Sequence, residues 1–199
     1  AVSDEGCNSS STVEITIYPA VTAGFMSPGE SCAPAQVEFV NTSVNAVSYQ
    51  WSFGNGLMSI MTSPTTNYTN TTGETEVFDI SLLAANVYGC TDTAFQQVTI
   101  FATPDLNVSA SVNAGCSPLL VTFANETSFA DSYVWHYGDA TSSAASATQH
   151  AHTFTNNGTE AQEFNVVMVA STAEGCSAQT NIVIQVYPAA EASFESPGN

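Results

Sequence analysis

Apolar and polar residues alternate with a period of two in short runs throughout the chain. Clear examples are residues 36–40, 47–53 and 77–83, where Val, Phe, Trp, Ile and Leu alternate with Ser, Gln, Glu and Asp. Such alternation predicts antiparallel β-strands that bury one face and expose the other. Clusters of Gly, Asn, Ser and Thr separate the runs, and no segment has sustained helical periodicity. We therefore predict an all-β fold.

The sequence also repeats itself at long range. Trp51 recurs as Trp135 after 84 residues. Four further pairs have the same spacing: Cys32 and Cys116, Phe39 and Phe123, Asn41 and Asn125, and Tyr49 and Tyr133. A period of this length, holding about seven short strands, predicts one immunoglobulin-sized β-sandwich per repeat.

A second marker, the dipeptide Gly-Cys, divides the chain further. It occurs at residues 6–7, 89–90 and 175–176. An alternating run follows each copy, and a proline closes or follows each run, at Pro19, Pro104 and Pro188. We therefore expect each repeat to end in a strand that follows one of these dipeptides and precedes a proline.

These markers set the predicted domain boundaries. We predict that residues 1–19 are the C-terminal end of a preceding repeat and that residues 20–103 and 104–188 are complete repeats. Residues 189–199 are predicted to begin a following repeat. The connections at the prolines are short and contain no flexible Gly/Ser run. They favour tandem sandwiches in an extended array.

The charge of the chain narrows the range of partners. It contains 18 Asp and Glu residues but no Lys or Arg, which gives a formal net charge of −18. Nucleic acids and anionic lipid surfaces are excluded as partners, because binding to them depends on Lys and Arg. The acidic residues favour solubility, and they are also candidates for binding Ca²⁺. No run of apolar residues is long enough to span a membrane, and no other cofactor is predicted.

Two motifs in each repeat resemble those of polycystic kidney disease (PKD) domains, in which a tryptophan strand and glycine turn precede a His-Thr-Tyr-like strand. The first motif reads Trp51-Ser-Phe-Gly-Asn-Gly56 and Trp135-His-Tyr-Gly-Asp-Ala140; the second reads Thr66-Asn-Tyr68 and His152-Thr-Phe154. Asn55 and Ala140 depart from the usual Trp-x-Phe-Gly-Asp-Gly. The resemblance covers nearly the whole chain and implies immunoglobulin-like β-sandwiches of the PKD type.

The Gly-Cys pairs make the repeats similar to a narrower group. They look like the PKD repeats found in long surface adhesins of gliding bacteria that use type IX secretion. That similarity implies an extracellular or cell-surface location. It also implies three kinds of partner: neighbouring repeats of the same chain, an extracellular surface or glycan, and the secretion or motility machinery.

Cysteines at repeated positions in an acidic chain of extracellular type favour disulfides over a metal site. We predict the pairs Cys32–Cys90 and Cys116–Cys176, one in each sandwich. Cys7 would then be unpaired here, with its partner in the preceding repeat. A zinc site would need cysteine and histidine ligands at short spacing, and the sequence has none.

Histidines are the other candidates for chemistry. His150 and His152 lie two residues apart on a predicted strand, so their side chains share a face and could hold a metal ion. The PKD motif often has histidine at the position of His152, and His136 is predicted to face outward. We therefore expect structural histidines and no catalytic residue, since the first repeat has no histidine at all.

Aromatic residues and glycosylation motifs complete the candidates. Trp51 and Trp135, with Tyr49 and Tyr133, could form a sugar-binding platform, but the alternation places the tryptophans in the core. Thr93, in Asp92-Thr-Ala94, is a candidate for O-glycosylation. The motif Asn-x-Ser/Thr begins at Asn8, Asn41, Asn67, Asn70, Asn107, Asn125 and Asn157.

The sequence thus predicts a non-enzymatic chain with a structural and adhesive function. It would be a repeat segment of a long extracellular adhesin of the gliding-motility type. Two alternatives stay open. The repeats could be spacer modules of a secreted enzyme that degrades polysaccharide or protein, or they could bind carbohydrate themselves.

Overall fold

The computed structural model describes residues 4–190 and residue 192. All regular structure in these residues is β-strand, and the predicted all-β fold is confirmed. The first nine strands are β1 (Phe25–Met26), β2 (Glu30–Cys32), β3 (Ala35–Glu38), β4 (Val40–Asn41), β5 (Ser48–Ser52), β6 (Met58–Ser59), β7 (Thr65–Tyr68), β8 (Glu76–Ala85) and β9 (Thr91–Phe101). The other eight are β10 (Val108–Ala110), β11 (Ala114–Cys116), β12 (Leu119–Asn125), β13 (Ser132–His136), β14 (Ser142–Ser143), β15 (Gln149–Phe154), β16 (Gln162–Ser171) and β17 (Ser177–Tyr187).

The chain separates into two compact units. One unit contains Ala1–Ser27, Glu38–Thr65 and Asp79–Gln96, and the other contains Pro28–Val37, Thr66–Phe78 and Gln97–Asn199. The domain boundaries at residues 20, 104 and 189 stay a prediction from the sequence repeat.

Strands β1 to β9 form a five-stranded sheet in the order β2-β9-β8-β5-β6 and two short two-stranded pairs, β1-β4 and β3-β7. Phe25, Phe39, Trp51 and Phe53 are buried and contact one another. The ring centroids of Phe25 and Trp51 lie 5.1 Å apart, and those of Phe39 and Phe53 lie 5.2 Å apart. Burial of these aromatic side chains, together with aliphatic residues such as Ile80 and Leu82, stabilises this half of the chain.

Strands β10 to β17 repeat this arrangement. A five-stranded sheet runs in the order β11-β17-β16-β13-β14, and a three-stranded sheet runs in the order β10-β12-β15. Their common core includes Val121, Phe123, Trp135, Phe154 and Met168, which are at most 1% exposed. Two sheets that cover one core define an immunoglobulin-like β-sandwich.

Each five-stranded sheet has a short parallel strand at one edge. β2 pairs in parallel with β9, so that Cys32 lies opposite Phe101. β11 pairs in parallel with β17, so that Cys116 lies opposite Tyr187. All other strand pairs that involve β5, β6, β13, β14 and β16 are antiparallel. Each five-stranded sheet is therefore mixed.

One alternating run of the sequence does not form the strand that we predicted. Residues 12–18 have no regular secondary structure, and Val13, Ile15 and Ile17 are 80–89% exposed. Alternation produces a strand only where a neighbouring strand supplies backbone hydrogen bonds and a core covers the apolar face. Among the described residues, none does so for this segment. The start of a following repeat, predicted at residues 189–199, lies outside the described residues, apart from Ala189, Ala190 and Ala192.

Candidate functional site

The structure contains one disulfide among the described residues, and it is neither of the predicted pairs. Cys32 is bonded to Cys176, with an S–S distance of 1.94 Å and a Cα–Cα distance of 5.6 Å. The two residues are 144 positions apart in the sequence. The predicted pairs Cys32–Cys90 and Cys116–Cys176 therefore do not form.

The positions of the edge strands explain why these pairings were wrong. Cys32 lies beside Phe101 at the end of β9, whereas Cys90 immediately precedes Thr91 at the start of that strand. β9 has 11 residues. At about 3.3 Å per residue it separates the two cysteines by roughly 35 Å, and a disulfide needs a Cα–Cα distance below about 7 Å. Cys116 and Cys176 lie at opposite ends of β17 in the same way.

The structure gives His152 a side-chain partner that the sequence did not predict. Its Nε2 atom lies 2.7 Å from the Oδ2 atom of Asp139, and its ring stacks on Tyr137 with centroids 3.8 Å apart. The other oxygen of Asp139 accepts hydrogen bonds from the hydroxyl and the backbone N–H of Thr141. Partial burial by itself raises the pKa of Asp139, but the hydrogen bonds from Thr141 and His152 outweigh it, so the pKa is lowered.

His150 points into the aromatic core of the second sandwich. Its ring centroid lies 4.5 Å from that of Trp135 and 5.6 Å from that of Phe123. Both of its ring nitrogens are buried without a hydrogen-bond partner. Burial lowers the pKa of His150, and the charge of His152 lowers it further. The pair is therefore not arranged as a shared metal site, and the described residues contain no group of three or more His, Cys, Asp or Glu side chains that could hold an ion.

Because His150 is held neutral in the core, we expect the free energy of unfolding to depend on pH. The unfolded chain takes up a proton on this histidine below its ordinary pKa of 6.5, whereas the folded chain holds it neutral to lower pH. The free energy of unfolding should therefore fall as the pH falls below about 6.5. We expect a lower melting temperature at pH 5 than at pH 7.5, measured by tryptophan fluorescence.

Replacing His150 with Phe should reduce this difference in melting temperature, because Phe keeps a planar ring in the core and cannot be protonated. The matched control is His136→Gln, since His136 is exposed. This control should leave the pH dependence unchanged. An equal response of the two variants to pH would contradict the role given to His150.

Two buried asparagines were not recognised as important in the sequence. Asn156 is 4% exposed, and its Nδ2 donates to the backbone oxygens of Val186 and Glu160, both at 2.8 Å. Its Oδ1 accepts a hydrogen bond from the N–H of Gly158 at 2.8 Å. The side chain thus ties the loop between β15 and β16 to the end of β17.

Asn70 makes the same contacts in the first repeat. Its Nδ2 donates to the backbone oxygen of Ile100 at 2.8 Å and to that of Glu74, and its Oδ1 accepts from the N–H of Thr72. Both hydrogens of the Asn70 amide are therefore used, which leaves its glycosylation motif inaccessible in the folded chain. The spacing between Asn70 and Asn156 is the same as that between Cys90 and Cys176, and this was the signal that could have revealed the pair.

The predicted core tryptophans are buried, at 2% exposure for Trp51 and 0% for Trp135. Trp51 donates its indole N–H to the backbone oxygen of Met61 at 2.9 Å. Tyr49 and Tyr133 are half-buried beside them and donate their hydroxyls to backbone oxygens. The tryptophans consequently offer no face to a sugar.

Thr93, the candidate for O-glycosylation, lies exposed on β9. The Oδ2 atom of the preceding residue, Asp92, accepts a hydrogen bond from the N–H of Ala23 at 2.8 Å. The threonine side chain is thus accessible, while the acidic residue of the motif is engaged in a structural contact. No described helix is long and apolar enough to cross a membrane.

The fold defines an all-β protein of immunoglobulin-like β-sandwiches. The chain matches no model of a protein family and no curated protein. Among solved structures, it is similar to the PKD1 domain of Vibrio anguillarum Epp, with 27% identity over 42% of this chain and 96% of that one and a TM-score of 0.36. It is also similar to the PKD1 domain of the Vibrio cholerae metalloprotease PrtV, with 30% identity over 42% of this chain and 99% of that one and a TM-score of 0.35. A bacterial ice-binding adhesin is 12% identical, with coverages of 87% and 67% and a TM-score of 0.36.

Proposed function

We propose that this chain is a non-catalytic repeat segment of a long adhesin displayed outside the cell, of the type used in gliding motility. The observation that carries the proposal is the bond between Cys32 and Cys176. It joins the short edge strand β2 to the turn before β17, 144 residues further along the chain. Under tension, a bond of this kind keeps the intervening residues from being pulled out.

The redox chemistry and the charge support an extracellular location. Disulfides persist in oxidising surroundings outside the cytoplasm, where a structural bridge stays closed. A chain with 18 acidic residues and no Lys or Arg remains highly charged and soluble at neutral pH. It also offers no cleavage site to proteases that cut after Lys or Arg, and this suits a protein exposed to its surroundings.

The His152–Asp139 pair lacks the arrangement of a hydrolytic site. The hydroxyl of Thr141 donates to Asp139. A histidine that acts as a base must be hydrogen-bonded to the nucleophile, with the carboxylate on its far side. The stack of His152 on Tyr137 instead holds the ring in place against the core. This supports a structural role for the one carboxylate–histidine pair among the described residues.

The proposal is tested on intact cells that produce the parent protein. Antibodies raised against this chain, followed by immunogold labelling, should mark filaments on the cell surface. Deletion of the gene should remove these filaments and reduce attachment of the cells to glass by tenfold or more, with growth unchanged. A strain complemented with the intact gene serves as the control.

Two outcomes would contradict the proposal. Antigen found only in the culture medium, together with loss of a secreted hydrolase activity on deletion, would favour spacer modules of an enzyme. Specific binding of the purified chain to immobilised glycans, with no surface filaments, would favour a carbohydrate-binding module.

A further inference from the structure

Cys116 occupies the same structural position as the bonded cysteine Cys32. Each is the last residue of a three-residue strand that pairs in parallel with the end of the longest strand of its sheet, opposite Phe101 or Tyr187. Each is followed two residues later by a proline, Pro34 or Pro118. Yet Cys116 is an exposed free thiol.

Cys90 occupies the same structural position as the other bonded cysteine, Cys176. The backbone oxygen of Cys90 accepts a hydrogen bond from the N–H of Asn86 at 3.0 Å, and that of Cys176 accepts one from Thr172 at 2.8 Å. The N–H of each cysteine donates to the side-chain oxygen of the same partner. Cys90 is likewise a free thiol.

The two cysteines of one repeat cannot reach each other, because β9 or β17 lies between them. One repeat therefore has one cysteine at each end of its longest strand. The bond that does form joins the edge-strand cysteine of residues 20–103 to the Gly-Cys cysteine of residues 104–188. In sequence terms, it links one repeat to the next.

From this arrangement we propose that Cys116 and Cys90 each form the same kind of bond as Cys32–Cys176, but with a cysteine of a neighbouring repeat. Cys116 pairs with the Gly-Cys cysteine of the following repeat, and Cys90 pairs with the edge-strand cysteine of the preceding repeat. Every pair of consecutive repeats is then covalently joined twice, once through the backbone and once through sulfur. This inference concerns the linkage alone and does not depend on the adhesive function.

Packing near the existing bond supports a junction built for a specific neighbour. Phe129, in the loop before β13, lies so close to Gly73 that a Cβ atom on Gly73 would be 2.2 Å from its ring. Phe129 has a positive φ of 59°, which bulky residues rarely adopt without compensating contacts. Cys176 itself is 1% exposed, whereas Cys32 is exposed. The bond thus joins a surface cysteine to one that is held in a buried position.

Formation of the additional bond is an ordinary oxidation of two thiols to a disulfide. Two thiols lose two protons and two electrons when the S–S bond forms, and the electrons pass to a disulfide oxidant by thiol–disulfide exchange. The oxidant is of the small-molecule disulfide class, for example oxidised glutathione. An exposed thiol such as Cys116 is accessible to this exchange.

The test uses a chain that contains its own neighbouring repeats. Residues 1–188 are joined directly to residues 20–199, which recreates the Pro-Ala step found at Pro19 and Pro188. Cys7 is replaced with Ser in this tandem chain and in the single chain used as the control. Both are oxidised with a glutathione redox buffer, the remaining thiols are alkylated, and a non-reducing Glu-C digest is analysed by mass spectrometry.

We expect a peptide pair that links Cys116 to Cys90 in the monomeric tandem chain and not in the single chain. Both chains should contain the Cys32–Cys176 pair and, under denaturing conditions, two free thiols per molecule. Cys116→Ser in the first copy of the tandem chain should abolish the new peptide pair and leave Cys32–Cys176 intact.

Other results would overturn the inference. Four free thiols in the tandem chain, with Cys32–Cys176 formed, would show that Cys116 and Cys90 do not bond. Peptide pairs that link Cys32 to Cys90, or Cys116 to Cys176, would place the bridges within single repeats.

Discussion

Replacing Asn156 with Asp is expected to lower the free energy of unfolding of the second sandwich by about 4 kcal/mol. The side chain is 4% exposed, and its amide donates to two backbone oxygens, those of Val186 and Glu160. The carboxylate would remove both donors and place a negative charge against both carbonyl groups. For a domain of this size, the melting temperature should fall by roughly 15–25 °C, measured by circular dichroism at pH 7.5.

The neighbouring residue provides a matched control for this prediction. Asn157 is exposed, so Asn157→Asp adds the same charge one position away without loss of a buried hydrogen bond. Its effect should stay within about 0.5 kcal/mol. If both variants melt at the same temperature, the buried amide does not tie the loop to β17 as described. Partial recovery of Asn156→Asp at pH 3.5, where the carboxyl takes up a proton, would further support the argument from charge.

Replacing Gly138 with Ala is expected to be nearly as damaging, at about 3 kcal/mol or more. Gly138 lies in the turn after β13 and has a φ of +77°, a conformation that costs energy for any residue with a Cβ atom. A Cβ atom at this position would also lie 2.8 Å from the backbone nitrogen of Asn165 and 2.9 Å from its oxygen. Backbone atoms of the central strand β16 cannot move aside as a flexible side chain can. Urea denaturation followed by tryptophan fluorescence measures the loss.

The variant Gly175→Ala separates the cost of the backbone conformation from the cost of the contact with Asn165. Gly175 has a similar φ of +88°, but no atom lies within 4 Å of the position of its Cβ. This variant should therefore lose only the cost of the backbone conformation, about 1–2 kcal/mol. Gly138→Ala should be clearly worse than this control. Equal losses would mean that the contact with Asn165 carries no energy.

The roles of Gly138 and Asn156 could be predicted from the sequence to different degrees. Gly138 belongs to the Trp-x-Phe-Gly-Asp-Gly-like motif, so its turn could be predicted from the resemblance. Asn156 had no such motif around it, since asparagine is common in this chain and a polar side chain in a loop is expected to face solvent. Its importance depends on Val186, 30 residues away, and only the folded chain brings that carbonyl group within reach.

The cysteines show the same limit more clearly. Their repeated positions and the extracellular type of the chain correctly favoured a disulfide over a metal site, and one disulfide forms among the described residues. The choice of partner was wrong. It depended on where β2 pairs along β9: the register places Cys32 opposite Phe101, at the far end of β9 from Cys90. A three-residue strand has no pattern that reveals where along its neighbour it pairs.

By itself, the sequence determined the all-β class, the repeat and the buried tryptophans, because alternation and spacing are properties of the local chain. The tertiary structure decided which thiols meet, which amides are buried, and whether an alternating run such as residues 12–18 becomes a strand. Each of these depends on a partner that is remote in sequence, and the distance to that partner is fixed only when the strands have taken their order and direction.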